Sequence, residues 1–222
     1  RPDVGKTAFW VSLVASPNGF AWQEKKVSIF ANEEPAIRTQ MRLLNASTGL
    51  QRGNILNGSR DLAKQKWSTI SPYIENFDCV GKTMDDLDEY CSTNDVDILI
   101  IDQLDKINVT GKYNATHEKL REVYTQSREL AKRHNILVIG MSQASAEAQG
   151  RSRVTFSTME NSKTGKAAEA DIILGIGKED EVENYLEDCV RFVTLSKNKL
   201  TGDHAEFEVI LRPTISRYAE RN

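Results

Sequence analysis

Cysteine is scarce and poorly placed for cross-linking. The 222 residues hold three, Cys79, Cys91 and Cys189, an odd number with no pair at C-x-x-C spacing. That argues against a disulfide framework or a structural zinc site and fits reduced thiols. No apolar run approaches the ~20 residues a membrane-spanning helix needs, and no signal-peptide pattern is visible in the sequence as it begins at Arg1. An excess of one charge is also missing. With 29 basic and 32 acidic side chains, the formal net charge is −3. Nothing global announces a nucleic-acid partner, so any such site has to be local, on a loop or one face. There is no internal repeat and no clear linker. What remains is an ordinary mixture, 39% hydrophobic and 27% charged, long enough for one large domain.

Short apolar runs alternate with helical patterns. Residues 25–31 (KKVSIFA), 76–80 (NFDCV), 96–102 (VDILIID), 136–141 (ILVIGM) and 171–176 (DIILGI) read as buried strands. Between them lie AIRTQMRLLNAS, RDLAKQKWSTI, TMDDLDEYCS and THEKLREVYTQSRELAKRH, with apolar residues at helical spacing. Thr83 and Thr116 are placed as helix caps. The alternation predicts an α/β fold with right-handed crossovers and a mostly parallel sheet flanked by helices. The tail changes character: VRFVTLSKNKL, AEFEVIL and ISRYAE, separated by TGDH and RPT, predict antiparallel strands at the C-terminal end. Residues 108–116 and 144–165 are polar and rich in Gly, Ser and Thr. A structureless loop of about 20 residues in a compact domain is usually functional or disordered.

Four short motifs carry chemistry. Gly5-Lys6-Thr7 closes the phosphate-loop pattern G-x-x-x-x-G-K-[ST], whose first Gly would fall one place before Arg1. Such a loop needs backbone N–H groups around the phosphates, a Lys charge, a hydroxyl for Mg²⁺ and a helix starting at once, which "AFWVSLVAS" supplies. A bare GKT also occurs by chance. "DILIID" ends a buried strand in Asp102, where a carboxylate can hold the Mg²⁺ water shell beside the phosphates. "VSIFANEEP" delivers Glu33 and Glu34 to a strand end, where one can activate a water against the γ-phosphate. Paired glutamates at a helix start are the ordinary alternative. "VIGMSQ" delivers Gln143, either a γ-phosphate sensor or a solvated amide.

In this order the four elements resemble the RecA-type ATPase domain of the DnaB-like hexameric replicative DNA helicases of bacteria and phages, over nearly the whole chain. RPDVGKT matches that family's GRPxxGKT after its first Gly. FANEE stands where the family has its catalytic Glu, which favours Glu33 over Glu34. IIDQLDKI matches the metal-carboxylate strand and MSQ the sensor Gln. ENSKTGKAAEADIILGI resembles the segment after the second DNA loop. LSKNKLTGD resembles the K-x-R-x-x-G segment that carries the arginine finger, with Lys199 at the Arg position and Lys197 as the other basic residue. Lys lacks the planar fork of Arg.

The resemblance implies one RecA-like P-loop domain over residues 1–222, a fragment whose first loop Gly and preceding strand lie upstream. It implies ATP or another NTP bound by Val4, Gly5, Lys6, Thr7 and Ala8, with Mg²⁺ at Thr7 and Asp102. Tyr218 is placed either against the nucleotide base or in the core. Glu33 activates water, Gln143 senses the γ-phosphate, and Lys199 or Lys197 reaches across a subunit boundary. The two unassigned stretches correspond to the loops that grip single-stranded DNA. Residues 106–117 carry Lys106 and Lys112, and residues 144–166 carry Arg151, Arg153, Lys163 and Lys166 against Glu147 and Glu160. Local positive charge of this kind is the footprint of backbone binding. The implied protein is a cytoplasmic, bacterial or phage-encoded homo-hexamer that translocates on single-stranded DNA, with primase and a helicase loader as partners and no membrane. A RecA/RadA-like recombinase and a low-turnover nucleotide-binding loader or scaffold are the alternatives.

Overall fold

The runs VSIFA and ILII have no polar face, so the strands they form have to be covered on both sides. In the computed structural model of the chain, which describes residues 4–111, 113, 115–148, 150–158, 165–179 and 188–221, they become β1 (Val27–Ala31) and β3 (Ile98–Ile101), buried at every position. They form the centre of a parallel four-stranded sheet with β2 (Ile74–Asp78) and β4 (Leu137–Gly140), in the order β2-β1-β3-β4. Phe30 lies opposite Ile101, and Ile101 opposite Gly140. This level register delivers the residues after β1, β3 and β4 to one edge. Glu33, Asp102 and Gln143 therefore emerge together, at the carboxyl edge where parallel sheets bind ligands.

Helices cover both faces. Side chains alternate along β1, so Val27 and Ile29 join one core and Phe30 the other. On the first side, Trp10, Val11 and Val14 of α1 (Lys6–Ala15), Leu43 of α2 (Ala36–Thr48) and Ile70 of α4 (Arg60–Ile70) pack against Val27, Ile29, Ile98 and Ile100. A short α3 (Arg52–Leu56) precedes α4. On the second side, Met84, Leu87 and Cys91 of α5 (Met84–Thr93) and Val123 and Leu130 of α6 (Thr116–His134) cover Phe30, Leu99 and Ile101. Each such side chain contributes about 1.5–3 kcal/mol by burial. Thr83 caps α5 in a reciprocal capping box with Asp86. Thr116 does not cap: it is the first residue of α6, and Ala115 precedes it without a side-chain bond.

The closing strands form a second, antiparallel sheet, β5 (Ile172–Gly177), β6 (Val190–Asn198), β7 (Ala205–Arg212) and β8 (Arg217–Glu220), in chain order. Two expectations change. NFDCV is not a buried strand: β2 lies at the sheet edge and is exposed or half-exposed at all five positions. DIILGI does not extend the parallel sheet: β5 pairs antiparallel with β6 and leaves Ile172 and Leu174 exposed. The outer edges of β4 and β5 have no strand partner among the described residues. A cleft of about 750 Å³ runs between them, lined by Leu137, Ile139, Ile172 and Leu174, with Lys6 and Gln143 also on its wall.

The stretch after Gln143 is partly folded. Turns of 3₁₀ helix form at Ala146–Ala148 and Phe156–Thr158, and Ser145 N–H bonds to the Thr158 carbonyl (2.7 Å). A Cβ placed on Gly175 or Gly177 would lie 1.8 Å from the Val154 or Ser152 carbonyl oxygen, so glycine lets this backbone lie against β5. The stretch ends in a short helix, α7 (Gly165–Glu169). No helix among the described residues is long and apolar enough to cross a membrane.

Candidate nucleotide site and nucleic-acid loops

Gly5 sits at φ 103°, in the left-handed region, and α1 begins at the next residue. A side chain here would be strained and would meet the Tyr218 hydroxyl at 2.6 Å. The loop carbonyls are held from behind. Arg191 Nε donates to the Val4 carbonyl (2.8 Å) and the Tyr218 hydroxyl to that of Gly5 (3.2 Å). The first N–H groups of α1 have no intrahelical acceptors and carry the positive end of the helix dipole, which suits an anion.

Lys6 Nζ is buried with no hydrogen-bond partner among the described residues. Burial lowers its pKa, against the upward pull of Glu33, Asp102 and Asp105. That mutual influence places the lysine among the acidic groups of the sheet edge. Asp102 is 2% exposed. Its Oδ1 accepts the Trp10 indole N–H at 2.7 Å, while Oδ2 is buried without a partner among the described residues. Desolvation raises the Asp102 pKa, with Trp10 opposing and Glu33 and Glu34 reinforcing. A buried ammonium and carboxylate oxygen left unmatched are costly. A phosphate at Lys6 and a divalent cation at Asp102 would satisfy both, and the Thr7 hydroxyl at the helix start completes a donor set suited to Mg²⁺. The residues present fit a magnesium nucleotide.

The two glutamates differ. Glu34 accepts a two-pronged bond from Arg42 of α2, at 3.0 and 2.7 Å. Glu33 is exposed and makes no hydrogen bond or ion pair among the described residues, yet its charge bears on both Lys6 and Asp102. Glu33 is thus the carboxylate of the two without a hydrogen-bonded cation among the described residues. Gln143 is half-buried on the same cleft wall as Lys6.

Other expected residues are placed differently. Tyr218 packs at a steep angle against Phe9 (ring centroids 5.4 Å apart) and beneath Gly5, so it supports the loop. Lys197 and Lys199 both turn to the end of α7 within this chain. Lys197 Nζ donates to the Ala167 carbonyl, and Lys199 Nζ to that of Ala168 (3.1 Å), with Asp171 at 3.5 Å. Neither is among the groups that perturb Lys6. Arg151 and Arg153 are exposed, with Arg153 3.7 Å from Glu206. Lys112 and Lys163 lie outside the described residues. Lys166 is a correction: its side chain is fully buried and paired with Asp105 at 2.8 Å, so it presents no charge to a DNA backbone. Trp10, Arg42 and Arg191 escaped the sequence reading. Trp10 reads as an ordinary core residue, and only the arginine inside the apolar VRFV run hints at a buried bond.

A phosphate loop at a helix N-terminus, a carboxylate ending a buried parallel strand and a free glutamate ending its neighbour define a P-loop nucleotide-binding domain. The family model for the DnaB-like helicase C terminal domain matches residues 1–220. The chain belongs to that family. It is 24% identical over 235 residues to the replicative DNA helicase DnaB of Pasteurella multocida (strain Pm70), covering 98% of this chain and 49% of that protein. It thus spans about half the length of this curated relative. Two solved structures share its fold at a TM-score of 0.80 and 19% identity. One, of a DnaB-like replicative helicase described with its interactions with primase, is covered over 56% of its chain. The other, described as an ATPase domain, is covered over 82%.

Proposed function

We propose that the chain is the ATP-driven motor domain of a hexameric replicative DNA helicase. The observation that carries this is the pair of buried groups without partners among the described residues, Lys6 Nζ and Asp102 Oδ2, with Glu33, likewise unpaired among them, at the same sheet edge. Lys6 and the backbone from Val4 to Ala8 hold the phosphates, and Thr7 and Asp102 hold Mg²⁺, which stabilises charge on the phosphoryl oxygens when bound. Glu33 takes the proton of the attacking water, and Gln143 contacts the γ-phosphate. Lys199 reaches the nucleotide of a neighbouring subunit, leaving its contact with Ala168 and Asp171. The segments around 106–117 and 144–158, with Arg151 and Arg153, face single-stranded DNA in the channel.

The cleft between β4 and β5 is the seat of a strand that precedes Arg1 and brings the first glycine of the loop. Its two open strand edges and apolar lining support that reading. The working protein is accordingly longer and cytoplasmic, with primase and a loader as partners, as the family and the primase-associated relative suggest.

The test is a forked-duplex unwinding assay on the longer protein, with ATPase measured with and without single-stranded DNA and the particles imaged. ATP-dependent strand separation by rings supports the proposal. Filaments without unwinding point to a recombinase, and DNA-independent, negligible turnover to a scaffold.

A further inference from the structure

We propose that the buried Lys166–Asp105 ion pair is a positioning element that ties the second DNA-facing loop to the strand ends carrying Asp102 and Gln143. The inference rests on the motor reading above. Lys166 Nζ lies 2.8 Å from Asp105 Oδ1, with the lysine side chain fully buried and the aspartate 20% exposed. Two hydroxyls complete the cage. Tyr124 donates to Asp105 Oδ1 at 2.8 Å, and Ser142 to Asp105 Oδ2 at 2.9 Å. Lys166 donates in turn to Ser142 Oγ at 3.3 Å and lies 5.5 Å over the Tyr124 ring.

Each partner stands at a junction. Asp105 is in the 3₁₀ turn Leu104–Lys106, three residues beyond Asp102 and at the root of the first loop. Ser142 follows β4 and directly precedes Gln143. Tyr124 lies in α6, the helix that follows the first loop. Lys166 is in α7, where the second loop ends. One network therefore spans both loop roots and the ends of two catalytic-edge strands.

Stability alone is a poor reason to build it. Desolvating two charges offsets most of their attraction, and well-packed apolar replacements of buried pairs are often neutral or stabilising. A network of short directional bonds has a different property: it fixes the relative placement of its members. Displacing Gln143 with a γ-phosphate would shift Ser142 and, through it, Lys166 and the loop end.

The experiment uses the full-length helicase. Its variant Asp105→Leu/Lys166→Met removes both charges together and leaves no orphaned ion. Thermal melting, binding of a fluorescent ADP analogue, DNA affinity, and ATPase rates with and without saturating single-stranded DNA are read side by side. The expected result is a cooperative melt, lowered only by the loss of the two hydroxyl bonds to Asp105, with normal ADP and DNA affinity and a normal DNA-free rate, and DNA stimulation reduced by roughly 5–150-fold, the usual size of coupling between sites. Retained stimulation in a folded double variant overturns the proposal and leaves the pair a packing feature. If that variant does not fold, Ser142→Ala decides, since it breaks the two bonds of Ser142, to Asp105 and from Lys166, and leaves the ion pair. Loss of stimulation when both Ser142 bonds are gone supports the proposal, and unchanged stimulation overturns it. A wild type whose ATPase ignores DNA overturns the motor reading itself, and this inference with it.

Discussion

Replacing Glu33 and Glu34 one at a time by glutamine separates catalysis from packing at the end of β1. Glu33→Gln keeps shape and removes the carboxylate of the two that has no ion-pair partner among the described residues. A general base contributes typically ~10²–10⁴-fold, which at about 1.36 kcal/mol per tenfold is roughly 2.7–5.4 kcal/mol of barrier. Nucleotide affinity should stay within a few-fold, because Lys6 and the loop backbone are untouched. Glu34→Gln breaks the two-pronged bond to Arg42, a pair whose side chains are 23% and 37% exposed. Partly exposed pairs of this kind contribute about 0.2–1 kcal/mol. In a domain of this length that lowers Tm by about 0.4–4 °C, with turnover close to normal. Steady-state ATPase, ADP-analogue binding and a melting scan on each variant give all three quantities. Turnover by Glu33→Gln within tenfold of wild type, or Glu34→Gln as slow as its neighbour, refutes the assignment.

Three further outcomes are expected. Asp102→Asn should abolish Mg²⁺-dependent hydrolysis yet raise the melting temperature of the nucleotide-free protein at neutral pH. Burial raises the folded pKa of Asp102, so its ionised form costs stability above that pKa, and asparagine still accepts from Trp10. A lower Tm in calorimetry argues against the cost. Neutralising Arg151 and Arg153 together should reduce the slope of log affinity against log salt by about 0.7 per lost phosphate contact. An unchanged slope in a single-strand binding titration removes this segment from the DNA path. Lys199→Ala subunits mixed with Lys6→Ala subunits should recover part of the ATPase activity that each lacks alone, because some interfaces then pair an intact Lys6 with an intact Lys199. Normal ATPase in rings of Lys199→Ala alone transfers the finger role to Lys197.

The parts legible in the sequence are those set by local pattern. VSIFA and ILII announce central strands because they are almost wholly apolar and offer no charged residue to water, and the GKT that opens α1 announces its loop by residue type. Asp102 and Glu33 follow because strand ends in a parallel sheet share an edge. What escaped depends on distant partners. NFDCV reads as buried, but Phe77 of β2 is 36% exposed at an edge that the sequence does not mark. DIILGI has the composition of a parallel strand, and only β6, about twenty residues on, turns it antiparallel. Trp10 meets Asp102 across 92 residues. Lys166 misled for the same reason: a lysine in a polar stretch reads as solvated until Asp105 is found beside it.

The clamp on the phosphate loop has a consequence for how the protein comes into being. Val4 and Gly5 precede by far the side chains that hold their carbonyls: Arg191 and Tyr218 follow 187 and 213 positions later. At about 5–20 residues per second, a ribosome takes roughly 10–40 s to cover that distance. Throughout that interval the loop lacks the support behind it. The support behind the phosphate loop is thus among the last parts of this domain to be made. A polypeptide released before β8 would carry every residue of the GKT, Asp102 and Glu33 and still lack the Tyr218 bond that holds the Gly5 carbonyl from behind.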